Sequence, residues 1–204
     1  MNNGTLGSQG SSLDSTCAIL YTLLHPCPFV KVAITGTPGT GKSIVGLELA
    51  RRGWDVLELS EFVESHLLKG RKDRARDTYE VDVEAVDERL KSEHNGNDRI
   101  YLGHLTHFLT VDLIIVLRCR PSVLKARLEG RGYSKKKITE NLEAEGCDVI
   151  LVEAMETSIP ICEIDTTAMD ANQVADAVEE ILDGERKKYE PGHVDWSEEV
   201  LAWY

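Results

Sequence analysis

From Val30 onward, short aliphatic or β-branched runs alternate with stretches whose apolar residues recur at helical spacing. The runs at 30–35 (VKVAIT), 55–59 (DVLEL), 99–103 (RIYLG), 111–118 (VDLIIVLR) and 161–165 (ICEID) predict strands, several of them apolar enough to be buried on both faces. Between and after them, 42–52, 60–69, 82–93, 121–130, 134–157 and 170–187 predict helices. In the last of these, Val174, Ala175, Val178, Ile181 and Leu182 form one apolar face to bury. Strands that alternate with helices imply repeated βαβ units, so the expected fold is α/β with a doubly wound, five-stranded parallel sheet. No internal repeat is evident.

The two ends depart from this rhythm. Residues 1–16 are rich in Gly, Ser and Asn and have few apolar side chains to offset the entropy of ordering. Cys17 to Val30 is apolar, but nothing basic precedes it, and His25, Pro26 and Pro28 interrupt it. It fits neither a signal peptide nor a span of about 20 apolar residues. Residues 1–29 are therefore expected to be a disordered extension, or a misassigned leader if a GTG codon at Val30 is the true start. Residues 191–204 form a tail whose His193, Val194, Asp195, Trp196, Trp203 and Tyr204 either dock a partner or pack on their own domain.

At 204 residues the chain has room for one sizeable core, and 42% hydrophobic with 28% charged residues is ordinary globular usage. The net charge of −12 argues against general affinity for nucleic acid or acidic membranes, which need surplus Lys and Arg. Five scattered cysteines, Cys17, Cys27, Cys119, Cys147 and Cys162, include no Cys-x-x-Cys pair and read as free buried thiols in a reducing cytoplasm.

The densest chemistry lies at Gly36-Thr-Pro-Gly-Thr-Gly-Lys-Ser43, where the strand VKVAIT runs into a GxxxxGK[ST] loop and IVGLELARR continues as a helix. Glycines there let successive N–H groups turn inward around phosphates, and the helix N-terminus adds positive potential. Gly36, Gly39, Thr40, Gly41, Lys42, Ser43 and Ile44 are the expected nucleotide-binding residues. Lys42 reaches the β and γ phosphates of ATP, and the Ser43 hydroxyl ligates Mg²⁺. No Asn-Lys-x-Asp guanine-reading segment is present, and helicase-like ATPases are usually larger, so a small kinase is favoured.

TGTPGTGKS, GHLTHF, VDLIIVLR, RLEGRGYSKKKITENLEAE, EIDTT and VDWSEE together resemble the archaeal and nuclear adenylate kinase-like family, from about Val30 to Trp196. The resemblance implies a P-loop NTPase fold at 30–190 with two inserts: a monophosphate-binding segment at about 58–81 and a short lid at about 130–140. It also implies a broad-specificity NMP kinase, converting ATP and AMP to two ADP, that has ATPase activity. Such proteins assist maturation of small-subunit rRNA by binding ribosomal protein uS11 on the small-subunit precursor. An assembly switch with little kinase activity is the alternative. Arg131 matches the family's ATP-binding arginine and, with Lys42 and His104, is an expected catalytic residue, while Arg127 lies one helical turn earlier. Arg71, Arg74 and Arg76 either clamp the acceptor phosphate or form a solvated charge run.

The family usually carries Asp-x-His after its third strand, where this chain has Leu102 and His104. His104 either positions a water or senses the γ-phosphate, or is a hydrogen-bonded histidine at a strand end; His107 is a weaker candidate. Leu102 implies weaker Mg²⁺ support and lower turnover, with Asp112 or Asp82 as possible substitutes and Leu102→Asp as the test. A cytoplasmic location and the absence of a membrane partner complete the expectations.

Overall fold

The computed structural model describes residues 30–73, 78–93 and 96–203. The extension at 1–29, together with Arg74, Arg76 and the side chain of Arg71, lies outside the described residues.

The central sheet comprises β1 (Lys31–Thr35), β2 (Val56–Glu58), β5 (Arg99–Leu102), β6 (Leu113–Arg118) and β7 (Ile161–Asp165). Their order is β2-β5-β1-β6-β7 and every pairing is parallel, as expected from the sequence. The parallel pairings require crossover connections, and helices cover both faces. Val32, Ile34, Ile100, Leu102, Leu113 and Ile115 point to one face. There they pack against α1 (Lys42–Arg51) and α7 (Ala171–Leu182) through Val45, Leu49, Val174 and Val178. Ala33, Tyr101, Ile114 and Val116 point to the other face, covered by α2 (Leu59–Ser65), α3 (Val83–Glu93) and α6 (Val149–Met155). Beyond the sheet's C-terminal edge, α4 (Pro121–Gly130) and α5 (Lys135–Gly146) form a smaller cluster through Leu124, Leu128 and Ile138.

Three expectations need correction. The helix expected at 60–69 ends at Ser65, because the N–H of Leu68 donates back to the Val63 carbonyl and Leu67 turns left-handed at φ 55°. The polar stretch that follows is an antiparallel hairpin of β3 (Lys69–Asp73) and β4 (Thr78–Val81). The single helix expected at 134–157 breaks at Cys147–Asp148 into α5 and α6, with Asp148 left-handed at φ 56°. Arg118 causes that break: its guanidinium binds the Glu145 carbonyl at 3.2 Å and the Asp148 carboxylate, diverting the helix end. Cys119 and Cys162 are buried free thiols, as expected, but Cys147 at the break is exposed. Past the core, α8 (Ser197–Leu201) closes the described chain.

Among the described residues no helix is long and apolar enough to cross a membrane.

Candidate nucleotide site

β1 delivers the glycine-rich loop to the C-terminal edge of the sheet, and α1 begins at Lys42. Two glycines are sterically required. Gly36 has φ 140°, and a Cβ there would lie 2.4 Å from the Leu117 carbonyl oxygen. Gly39 has φ 99°, and its Cβ would lie 2.7 Å from Leu124 Cδ1. The loop is thus pressed between the end of β6 and helix α4, in backbone angles that other residues rarely adopt. Its underside is pinned. The Thr40 hydroxyl donates to the Thr37 carbonyl at 3.0 Å, Thr166 Oγ1 donates to the Thr40 carbonyl at 2.8 Å, and the Thr37 hydroxyl donates to Glu145 Oε2 at 2.5 Å.

Glu145 belongs to a buried ionic hub. Its other oxygen accepts from Arg118 Nε at 2.9 Å, from the Cys119 N–H at 3.0 Å and from Trp196 Nε1 at 3.4 Å. Arg118 also donates to Glu163 at 2.5 Å, and Glu163 accepts from the Gly192 N–H at 2.8 Å. Burial alone would depress the Arg118 pKa, but Glu145, Asp148 and Glu163 outweigh it and hold the guanidinium charged. Trp196 is buried, so this aromatic residue of the tail packs on its own domain and reaches the loop through one carboxylate.

Above the loop lies a single cleft of about 750 Å³. Thr37, Pro38, Gly39, Gly41, Lys42 and Ser43 form its floor. One wall comes from 58–81, through Glu58, Leu59, Val63, Lys69, Tyr79 and Val81. The lining also includes Arg131 at the end of α4, Tyr133 just before α5, Lys137, Glu140 and Asn141 along it, and His104 and Leu105. Lys42, Ser43, Arg131 and His104 are therefore brought together. Gly36 and Thr40 sit beneath the loop instead of lining the cleft, and the Ile44 side chain is 54% exposed. Arg127 braces the loop: it donates to the Gly39 carbonyl at 3.5 Å and the Thr166 carbonyl at 3.0 Å.

The electrostatics single out Lys42. Its ammonium folds back onto the Gly36 and Thr37 carbonyls at 2.5 and 3.1 Å. Burial pushes its pKa down to about 8, opposed by Glu58 and Glu145 and assisted by Arg131. Such a cation, held by weak neutral acceptors, is poised to exchange them for phosphate oxygens. Desolvation of its carboxyl raises Glu58, against the pull of Lys42. His104 is held below the ordinary histidine value by desolvation first, then by Lys42 and other nearby cations. His107 does not reach the cleft: it is fully buried, bonded to Thr35 Oγ1 at 3.0 Å and Glu153 at 3.2 Å, and burial pushes it down to about 4.

Two positions, Asp112 and Asp82, differ from expectation. Asp112 lies at the opposite edge of the sheet, where its carboxylate accepts the Lys31 N–H at 2.8 Å, so it cannot face a metal at Ser43. Asp82 caps α3 by accepting the Ala85 N–H at 3.1 Å and does not line the cleft. Leu102, 2% exposed, is a core residue, with its Cδ1 only 2.0 Å from where a Cβ on Gly46 would lie. Glu145 and Lys69 stand in charged stretches that read like solvated surface, and Glu58 lies within the strand run DVLEL, whose pattern carries no sign of a site.

Residues 32–148 match a family model described as an AAA domain. A protein named "Putative adenylate kinase" from Archaeoglobus fulgidus is 45% identical over 174 residues, covering 83% of this chain and 93% of that protein. One of the same name from Methanosarcina mazei is 40% identical over 194 residues, covering 83% and 98%. The fold is similar to shikimate kinase from Acinetobacter baumannii, with TM-score 0.56 at 13% identity over 78% of this chain and 96% of that one. Shikimate kinase from Bacteroides thetaiotaomicron gives TM-score 0.53 at 16% identity over 76% and 98%. The pinned loop, the cleft above it and this identity over most of the chain lead to one assignment: the chain belongs to the adenylate kinase-like family of P-loop proteins.

Proposed function

We propose that the chain is a nucleoside monophosphate kinase that transfers the γ-phosphoryl group of ATP to AMP or a related monophosphate. One observation carries the reading: a single cleft joins the phosphate loop to the 58–81 wall and to the α5 wall, giving room for a donor and an acceptor at once. A protein that only hydrolysed ATP would not need the added space beside the 58–81 wall.

In this reading the N–H groups of Gly39, Gly41, Lys42 and Ser43 surround the donor phosphates at the start of α1. Lys42 leaves the Gly36 and Thr37 carbonyls for the β and γ oxygens, and Arg131 balances charge on the transferred group. His104 lies beside them as a neutral donor or acceptor for the γ-phosphate or an attacking water. The Ser43 hydroxyl, a hard oxygen donor at the first turn of α1, fits Mg²⁺, which supplies charge neutralisation across the phosphates when bound. Lys69 on the insert wall gives the acceptor phosphate a cation, alongside any contribution from Arg71, Arg74 and Arg76. Closure of the α5 wall, the lid of this scheme, excludes water, and an open lid leaves water as acceptor, which accounts for ATPase activity.

ADP formation from ATP with and without AMP tests this. Strong AMP stimulation with two ADP per turnover is the expected result, and an unchanged rate overturns the kinase reading. The second reading, an ATP-dependent switch in small-subunit rRNA maturation through uS11, is favoured by the net charge of −12, complementary to a basic ribosomal protein. It requires stimulation by uS11 rather than by AMP.

A further inference from the structure

We propose that Glu58 orders the water shell of the divalent cation that accompanies the bound nucleotide. The inference rests on the ATP-binding reading above and goes beyond it by naming the second metal-supporting group in the site.

Glu58 ends β2, and its register partner on the neighbouring strand is Leu102. Parallel strands in register send partnered side chains to the same face of the sheet. Leu102 points to the face covered by α1, and Glu58 therefore points toward the beginning of α1. The lining agrees: Glu58 faces the same cleft as Lys42 and Ser43, and its charge acts on Lys42. A carboxylate in the same cleft as the Ser43 hydroxyl is what a small, tightly hydrated cation needs, because Mg²⁺ keeps several waters and those waters require acceptors.

No other described acidic group serves as well. Glu140 lines the cleft but stands on α5, where its side chain is 46% exposed beside Lys136. Glu145 is below the loop and already occupied by Thr37, Arg118 and Cys119. Asp82 and Asp112 are engaged elsewhere by backbone N–H groups. Leu102 cannot contribute because its side chain fills the space over Gly46. The acidic support has thus moved one strand over, from the end of β5 to the end of β2.

The test uses the full chain with a non-hydrolysable ATP analogue. Analogue affinity is measured by calorimetry in EDTA and with Mg²⁺, and free Mn²⁺ is followed by electron paramagnetic resonance. Glu58→Gln should weaken Mn²⁺ binding to the protein–nucleotide complex about 10- to 100-fold. Affinity for the metal-free analogue should stay equal or rise, since a negative charge near the phosphates is removed. Glu58→Asp should fall in between. An unchanged Mn²⁺ affinity in Glu58→Gln, with wild-type protein binding the analogue normally, overturns this assignment alone. An equal loss with and without metal also overturns it, by showing a structural role. Wild-type protein that binds no analogue under either condition overturns the ATP-binding reading and this one together.

Discussion

Replacing Arg118 by methionine removes the charge at the centre of the hub while keeping an unbranched side chain of similar reach. Arg118 and its partners Glu145 and Glu163 have side chains 2%, 2% and 0% exposed, so two carboxylates would remain buried without their cation. Breaking a buried pair from one side typically costs about 3–5 kcal/mol. Glu145 keeps donors from Thr37, Cys119 and Trp196, and Glu163 keeps the Gly192 N–H, which places the expected loss near the lower end, about 3 kcal/mol. Asp148, 41% exposed, adds little. Urea unfolding followed by tryptophan fluorescence measures the loss. A loss below about 1 kcal/mol at pH 7 would refute the assignment of the hub as a desolvated ionic network.

Other outcomes are equally specific. Lys42→Met should stabilise the nucleotide-free protein at pH 7 by about 1–3 kcal/mol, because the folded state depresses the lysine from 10.5 to about 8. That advantage should fade as pH rises from 8 to 10.5, and added ATP should no longer raise the melting temperature; a destabilised variant would contradict the account. Wild-type stability should fall between pH 6.5 and pH 4 through His107, whose neutral form is favoured when folded, by up to about 3 kcal/mol. His107→Gln should flatten that part of the curve, and an unchanged slope would assign the effect elsewhere. Leu102→Asp should lower stability by at least about 2 kcal/mol without improving Mg²⁺ dependence, since it places a carboxylate against Gly46 in the core. A well-folded variant with stronger Mg²⁺ response would show that this side chain can turn to the cleft.

The sheet and the loop were readable because their signals are local. Parallel strands buried on both faces appear as apolar runs such as LIIVL, and the glycines, Lys42 and Ser43 lie within eight consecutive positions from Gly36. What stayed hidden depends on contacts distant in sequence. The break at Asp148 is made by Arg118, thirty residues earlier, while the local pattern of 134–157 is uniformly helical. Glu145 within NLEAEG has the spacing and neighbours of a solvated helix face, and only the loop's Thr37 on one side and Arg118 on the other make it interior. The strand β3 (Lys69–Asp73), read as KGRKD, has no apolar side chain at all, so nothing in its own pattern marks it as a strand. Leu102 was visible as a departure, but its packing partner Gly46 belongs to another element.

The link from Trp196 through Glu145 to Thr37 bears on how the protein is made. Synthesis runs from the N-terminus, so the phosphate loop leaves the ribosome long before residue 196. Until Trp196 and Gly192 arrive, Glu145 and Glu163 each lack one of their donors, and the floor of the cleft is less firmly held. A nascent or prematurely terminated chain therefore carries the whole nucleotide motif in a slackened form. Arrival of residues 192–196, well after the motif, adds the last donors to the two carboxylates beneath the loop.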